Sequence, residues 1–481
     1  MNKLNNIPSM AENCTTTTST SFYTTTITTT TNNKSCIAHI AHDHIFSILL
    51  LLPVDSILSF AMTCKRFKCL AFCETLWQSI CTRDWGKNFV DAILASEDMK
   101  HQQLSWKKLY QQISQLGSVN CLRLSAVDDD LVFPTPRASH SLNFVSDCLV
   151  LFGGGCEGGR HLDDTWVAYI GNEFKRVLRW QKVTSGTPSG RFGHSCAVFS
   201  ETLVLFGGIN DHGIRQNDTW LGQILRDEML GIKVSWRLLD VGSVAPPPRG
   251  AHAGCCLDDQ QMVIHGGIGL DGLRMNDTWL LDLSNGMGSA AWRQIDTHMS
   301  PPARSGHTLT CTGGARMVLF GGRGVGYEVL NDVWLLDARD EHADWVPLIY
   351  NLPNIPKGVP LPRVGHSATL ILGGRVLIYG GEDSLRNRKN DFWVLDLSAL
   401  PTVKMRSDTL DPRLLPKKMW KRLKAKGHQP DCRSFHRACA NHSGCYVYVF
   451  GGMVDGILEP GEASGLRFDG ELFLVELGLH P

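Results

Sequence analysis

The chain has 481 residues, more than one compact core requires, so one large or several smaller domains are expected. Its 47 Lys plus Arg balance 47 Asp plus Glu, which removes the charge signature of a nucleic-acid or membrane-surface binder. The 47 glycines, interleaved with strand-forming residues, suit turn-rich β structure.

Residues 1–35 come first, with a Thr-rich tract from Cys14 to Thr31. Such a tract cannot bury enough apolar surface to offset chain entropy, and disorder is expected. It lacks the arginines of a transit peptide, and Met1–Ala11 has no apolar secretory core. The 16 cysteines are therefore expected as reduced thiols, in a cytoplasmic or nuclear protein.

Residues 36–117 read as helical. The run IFSILLLLPV, Ile45–Val54, is about half of the roughly 20 residues that span a bilayer. Asp43, His44 and Asp55 bracket it, so it reads as a buried helix and no membrane partner is expected. Ile40, Ile45, Ile48, Leu49 and Leu52 keep helical spacing, Pro53 stops the helix, and Asp55 is the expected N-cap of a second. A third helical pattern runs through Leu70, Leu76, Trp77 and Ile80, and SWKKLYQQI adds a fourth. Residues 36–85 form one unit, and 86–117 a helical linker.

From residue 118 to 481, short apolar strands alternate with Gly, Pro and Asp turns. A repeat runs through this zone. Arg-x-x-His occurs at Arg137, Arg191, Arg249, Arg304, Arg363 and Arg433. A Gly pair follows each, from Gly153–Gly154 to Gly451–Gly452. Then comes Asn/Asp-Asp-x-Trp, with Trp166, Trp220, Trp279, Trp334 and Trp393, and Phe473 in the sixth copy. A second tryptophan, Trp180, Trp236, Trp292, Trp345 or Trp420, closes most units. Strand, strand–GlyGly, strand with Trp and strand with Trp make one four-stranded propeller blade. The sixth copy ends at its third strand, so Cys121–Val127 is expected to supply the missing fourth and remove an open edge. Cys432, His436, Cys439, His442 and Cys445 form the nearest metal-like cluster, but repeat packing explains them and no metal is expected.

These repeats resemble the kelch repeat over about three quarters of the chain, which implies a six-bladed β-propeller. The helical stretch His44–Phe67 resembles an F-box, although Ile40–Ala41 stands where that family commonly has Leu-Pro. The fold class is therefore mainly β, a six-bladed kelch propeller with an N-terminal all-α F-box domain. The F-box resemblance implies docking on the adaptor subunit of SCF-type cullin–RING ubiquitin ligases, and through it on a cullin. Ile45, Ile48, Leu49, Leu52, Pro53, Ile57, Leu58, Cys64 and Lys65 are the residues at that family's spacing. So small a helical unit carries more apolar residues than it can cover, and exposed apolar patches mark partner sites. The alternative is that the helices simply pack on the propeller.

Arg137, Arg191, Arg249, Arg304, Arg363 and Arg433 are expected to ring one mouth of the central channel and to contact an acidic or phosphorylated segment of a target protein. The alternative is that each satisfies carbonyls or the repeat aspartates Asp164, Asp218, Asp277, Asp332 and Asp391. The basic stretch Pro401–Pro430 reads as a solvated loop running into a strand that holds Trp420. A non-catalytic substrate receptor is the function this implies. A metal-dependent kelch enzyme or a kelch scaffold are the alternatives, and both leave the F-box unexplained. The Glu-x-x-x-Asp-x-x-x-His run of iron-dependent specifier proteins is missing, as are Ser-His-Asp, P-loop and dinucleotide motifs. Some plant F-box–kelch proteins carry a flavin photosensor ahead of the F-box. About 35 low-complexity residues precede it here, so no cofactor is expected.

Overall fold

The computed structural model describes residues 40–95, 105–124, 133–170, 180–183, 187–227, 231–257, 260–284, 286, 290–338, 343–349, 358–398, 419–456 and 465–479. The Thr-rich tract and most of the basic loop lie outside the described residues.

Six antiparallel sheets stand around an axis. The first is Ser141–Val145, Cys148–Phe152, Thr165–Tyr169 and Trp180–Val183, in that order. The innermost strands, Ser141–Val145, Ser195–Phe199, Ala253–Leu257, Thr308–Cys311, Ser367–Ile371 and Arg437–Ala440, each neighbour the next, and the last neighbours the first. The ring is closed as expected. Ser118–Leu124 lies antiparallel to Leu472–Leu477 and completes the sixth blade. Of the predicted closing segment, 121–124 belong to that strand and 125–127 lie outside the described residues. The same strand also runs parallel to Trp420–Gly427 of the fifth blade, fusing both blades into one eight-stranded sheet.

Each Gly pair ends the second strand or, in blades three and four, shifts its register, where the chain must bend against its neighbours. At Gly153 and Gly154 φ is 67° and 100°, and a Cβ would approach Arg191 O and His140 Cβ to 2.8 Å. The apolar faces left on each sheet bury between blades, with the repeat tryptophans in the gaps. Between blades five and six the core continues into the helical region, joining Ile371, Leu377, Val447 and Val475 to Ile45, Leu76 and Trp77.

The helices are α1 (His42–Leu51), α2 (Val54–Ala61), α3 (Lys65–Ala71), α4 (Glu74–Trp85), α5 (Lys87–Ala95) and α6 (Trp106–Ser114). Pro53, not Asp55, stands at the N-cap of α2; Asp55 falls in the first turn, where a carboxylate still favours the helix dipole. The third expected helix is two, α3 and α4, parted at Phe72–Cys73. α5 lies in the expected helical linker, though no spacing pattern singles it out; Gly86, at φ 96°, ends α4, and Val90 and Ile93 give α5 its buried face. α6 matches the fourth pattern. Arg375 donates to Ile113 O at 2.8 Å, Lys421 to Gln115 O at 3.1 Å, and Gly444 sits where a Cβ would meet the Phe89 ring. The helical region thus packs on the first-to-second strand turns of blades five and six through α5 and α6. Among the described residues no helix is long and apolar enough to cross a membrane.

Candidate functional site

The six repeat arginines are 0–1% exposed. Each guanidinium is engaged by hydrogen bonds at the start of its blade. Nε donates to the carbonyl two residues earlier, from Thr135 O at 2.8 Å in the first blade to Asp431 O at 3.2 Å in the sixth. Nη1 donates to the carbonyl of the first glycine of the pair, as Arg137 does to Gly153 O at 3.0 Å. The fork then closes on the repeat aspartate: Arg137–Asp164, Arg191–Asp218, Arg249–Asp277, Arg304–Asp332 and Arg363–Asp391 at 2.6–2.9 Å. Burial opposes ionisation of Asp164, Asp277 and Asp391, but the arginine and a tryptophan N–H outweigh it and hold all three carboxyls below the usual range. That tryptophan recurs in the first five repeat units, two residues after the aspartate, with Nε1 2.6–2.7 Å from Oδ2. In the sixth blade Arg433 reaches Asp469 at 2.8 Å, and its guanidinium carbon lies 5.0 Å from the Phe473 ring centroid.

The expectation that these arginines contact a target is corrected by this geometry. They are buried braces, each pinning the Gly-pair turn to the first strand, and they have no free face to offer.

The surface above the braces consists of the loops that run from each Gly pair to the third strand. Ile214, Leu270, Leu273, Val325, Tyr327 and Leu385 are all exposed there, Leu385 at 81% and Tyr327 at 70%. The Arg274 guanidinium lies 4.6 Å from the Tyr327 ring. This apolar rim is the feature that sequence reading missed. Its signal was present as one or two large apolar residues in each of the blade-two to blade-five loops, in otherwise polar, Gly-rich turns.

On the helical region, Ile48, Leu51 and Met62 are exposed, Leu51 at 85% and Met62 at 88%. Pro53, Cys64 and Lys65 are exposed beside them, and Leu52 and Leu58 are half-buried. Ile45, Leu49 and Ile57 are not surface residues: at 0–3% exposure they form the helical core. Ile45 and Leu49 share one α1 face by their spacing of four, and Ile48 lies off it.

An F-box-like family model matches residues 42–83, and the KLHDC2/KLHL20/DRC7 Kelch-repeats domain model matches 231–357 and 343–459. F-box/kelch-repeat protein At1g51550 of Arabidopsis thaliana is 54% identical over 454 residues, 93% of each chain. The chain belongs to the F-box/kelch-repeat proteins. Adagio-like protein 1 of Oryza sativa subsp. japonica is 29% identical over 84% of this chain, which spans 60% of that relative. A solved structure titled "Structure of YjhT" covers 70% of this chain and 99% of its own at a TM-score of 0.46 and 13% identity. Membership places this F-box/kelch protein in a class associated with substrate reception in SCF-type complexes generally. The cysteine and histidine cluster stays dispersed in the blade: His436 Nε2 lies 2.9 Å from Ser367 Oγ, and the His442 ring meets Phe144 edge-on. Among the described residues no three His, Cys, Asp or Glu side chains converge as a metal site.

Proposed function

We propose that this protein is the substrate-recognition subunit of an SCF-type ubiquitin ligase, with α1, α2 and the start of α3 docked on the adaptor. One observation carries the reading. The helical region already rests on blades five and six through α5 and α6, yet Ile48, Leu51 and Met62 stay bare. Apolar side chains left exposed on one side of a small helical unit fit a protein interface. The target is held on the opposite part of the molecule, by the rim of Gly-pair loops centred on Tyr327, Arg274 and Leu385. Aromatic and arginine anchors of this kind dominate binding energy in protein interfaces. No step of chemistry is assigned to this chain. Tethering raises the local concentration of target near the ubiquitin-charged enzyme. The preference for an acidic or phosphorylated target does not rest on the repeat arginines, whose charge is neutralised within each blade.

The test is capture of the adaptor by the full chain carrying L51E and M62E. Loss of adaptor with an unchanged circular-dichroism melt is the expected result. Undiminished capture by the folded variant rejects the docking face. Y327A with L385A is expected to lose target and keep adaptor.

A further inference from the structure

The six inner strands enclose an axial cavity of about 200 Å³. At its level the residue after each repeat histidine faces inward: Ser141, Ser195, Ala253, Thr308, Ser367 and Arg437. Five blades supply a small residue, and the sixth supplies a guanidinium. In three places the small hydroxyl meets the histidine of the next blade, as Ser195 does His252 at 2.8 Å, Thr308 does His366 at 2.9 Å and Ser367 does His436 at 2.9 Å. In blade three Ala253 has no hydroxyl, and His265 meets His307 at 3.1 Å instead. The belt breaks at Arg437. Its Nε donates to His140 O at 2.8 Å, and His140 and His194 have no hydrogen-bond partner on either ring nitrogen.

Arg437 differs from the six repeat arginines in having no carboxylate within ion-pair distance among the described residues. Burial pushes its pKa down, and the buried histidines near it are held neutral, so no other charge in this ring answers it. Arg437 is half-buried and lines the axial cavity, so the guanidinium edge not used by Nε is reachable from it, and a guanidinium without a carboxylate partner suits an oxyanion. The Arg437 guanidinium and the His194 ring, which has no hydrogen-bond partner on either nitrogen, line one cavity large enough for several water-sized groups, and the likewise unpartnered His140 ring belongs to the residue whose carbonyl holds Arg437 Nε.

We propose that the axial cavity binds one small oxyanion, a carboxylate or phosphate group, held by the fork of Arg437 with the Ser141 and Ser195 hydroxyls beside it. The guanidinium is already fixed in place through Nε, which leaves its outer nitrogens for a planar two-oxygen ligand. This site stands independently of the receptor reading, because neither the adaptor nor the target enters its argument. The anion arrives either free in solution or on a side chain of a bound protein.

Calorimetric titration of the full chain with inorganic phosphate and with acetate, at constant ionic strength set by chloride, tests it. The expected result is one site per chain at millimolar concentration or tighter, weakened at least tenfold in R437Q. S141D keeps the arginine and places a carboxylate next to it; it is expected to block the site as well, and it decides the matter if R437Q does not fold. A blocked tripeptide with a single Glu separates the sources: binding tighter than acetate points to a partner's side chain, and weaker binding to a free ion. No heat of binding with any probe, or equal binding by the wild-type chain and S141D, overturns the proposal.

Discussion

The indole N–H groups of the second repeat tryptophans show how one atom decides whether a buried gap is satisfied. Trp236, Trp292 and Trp345 each donate to a threonine of the preceding blade, Thr165, Thr219 and Thr278, at 3.0–3.1 Å. In the next gap Val333 stands at the threonine position, and the Trp420 indole nitrogen is buried without a partner. A buried donor left unpaired costs about 1–3 kcal/mol. V333T keeps nearly the same volume and restores the acceptor, so it is expected to raise the urea midpoint by an amount worth about 1 kcal/mol. T278V is expected to do the reverse at Trp345. A V333T chain no more stable than wild type would show that Trp420 finds its partner elsewhere. The braces act at the same scale with larger stakes. R249M leaves Asp277 charged beneath the rim, and breaking a buried pair from one side costs about 3–5 kcal/mol. The expected readout is a lower melting temperature together with weaker target capture through a loosened loop.

Strands and helices carry the next set of consequences. The seam strand Ser118–Leu124 is hydrogen-bonded on both sides, to Leu472–Leu477 and to Trp420–Gly427. A chain beginning at Phe133 loses it and leaves two unpaired strand edges, of which Leu472–Leu477 is apolar and invites association between copies. It is expected to melt lower and elute as aggregates, whereas a chain beginning at Ser105 keeps the seam and stays monodisperse. Equal behaviour of the two fragments in size-exclusion chromatography would remove the seam from the account of closure. Element by element, the repeats made this architecture legible, because six copies of one strand-turn-Trp unit fix strand order and Gly-pair position at once. The closing strand was legible for a topological reason: five complete units and one lacking its last strand require a donor. The helices were less so. Pro53 and Gly86 mark breaks, but the split at Phe72–Cys73 has no such letter. The arginines could be found but not assigned from sequence, since a bidentate fork suits a buried aspartate as well as an acidic ligand. Asp469 hid for a simpler reason. In pairing register Phe473 occupies the place of Trp166, yet Asp469 precedes it by four residues where the other repeats leave two. Core and surface members of α1 and α2 share the same apolar letters, so only packing separates Leu49 from Leu51.

Over the whole molecule, the ring concentrates titratable groups at buried positions. The six repeat histidines and His265 are all buried, and burial first, then neighbouring charge, holds each below the ordinary histidine value, His252 and His265 down to about 3. In the unfolded chain the same rings take up protons near pH 6.5. Between about pH 6.5 and 3 the unfolded state therefore binds more protons than the folded one, and stability must fall as pH falls through that window. The braced aspartates have the opposite sense of shift but the same direction of loss. Their pKa values are lowered, so their contribution is intact above the unfolded value near 3.8 and disappears only below it. The two sets separate on the pH axis, and the range from 6.5 to 4.5 reports the histidines alone. Urea unfolding free energies at half-unit steps are expected to be flat above pH 7 and to decline steeply below 6.5. Each buried histidine contributes a slope approaching 1.4 kcal/mol per pH unit once its unfolded counterpart is charged. Replacing one ring that makes no hydrogen bond, as in H194F, removes one proton from the balance and should make the decline shallower by about that amount. A wild-type profile that stays level down to pH 4.5 would mean that the belt around the axis accepts protons without opening, and the closed ring of neutral, buried imidazoles would have to be abandoned.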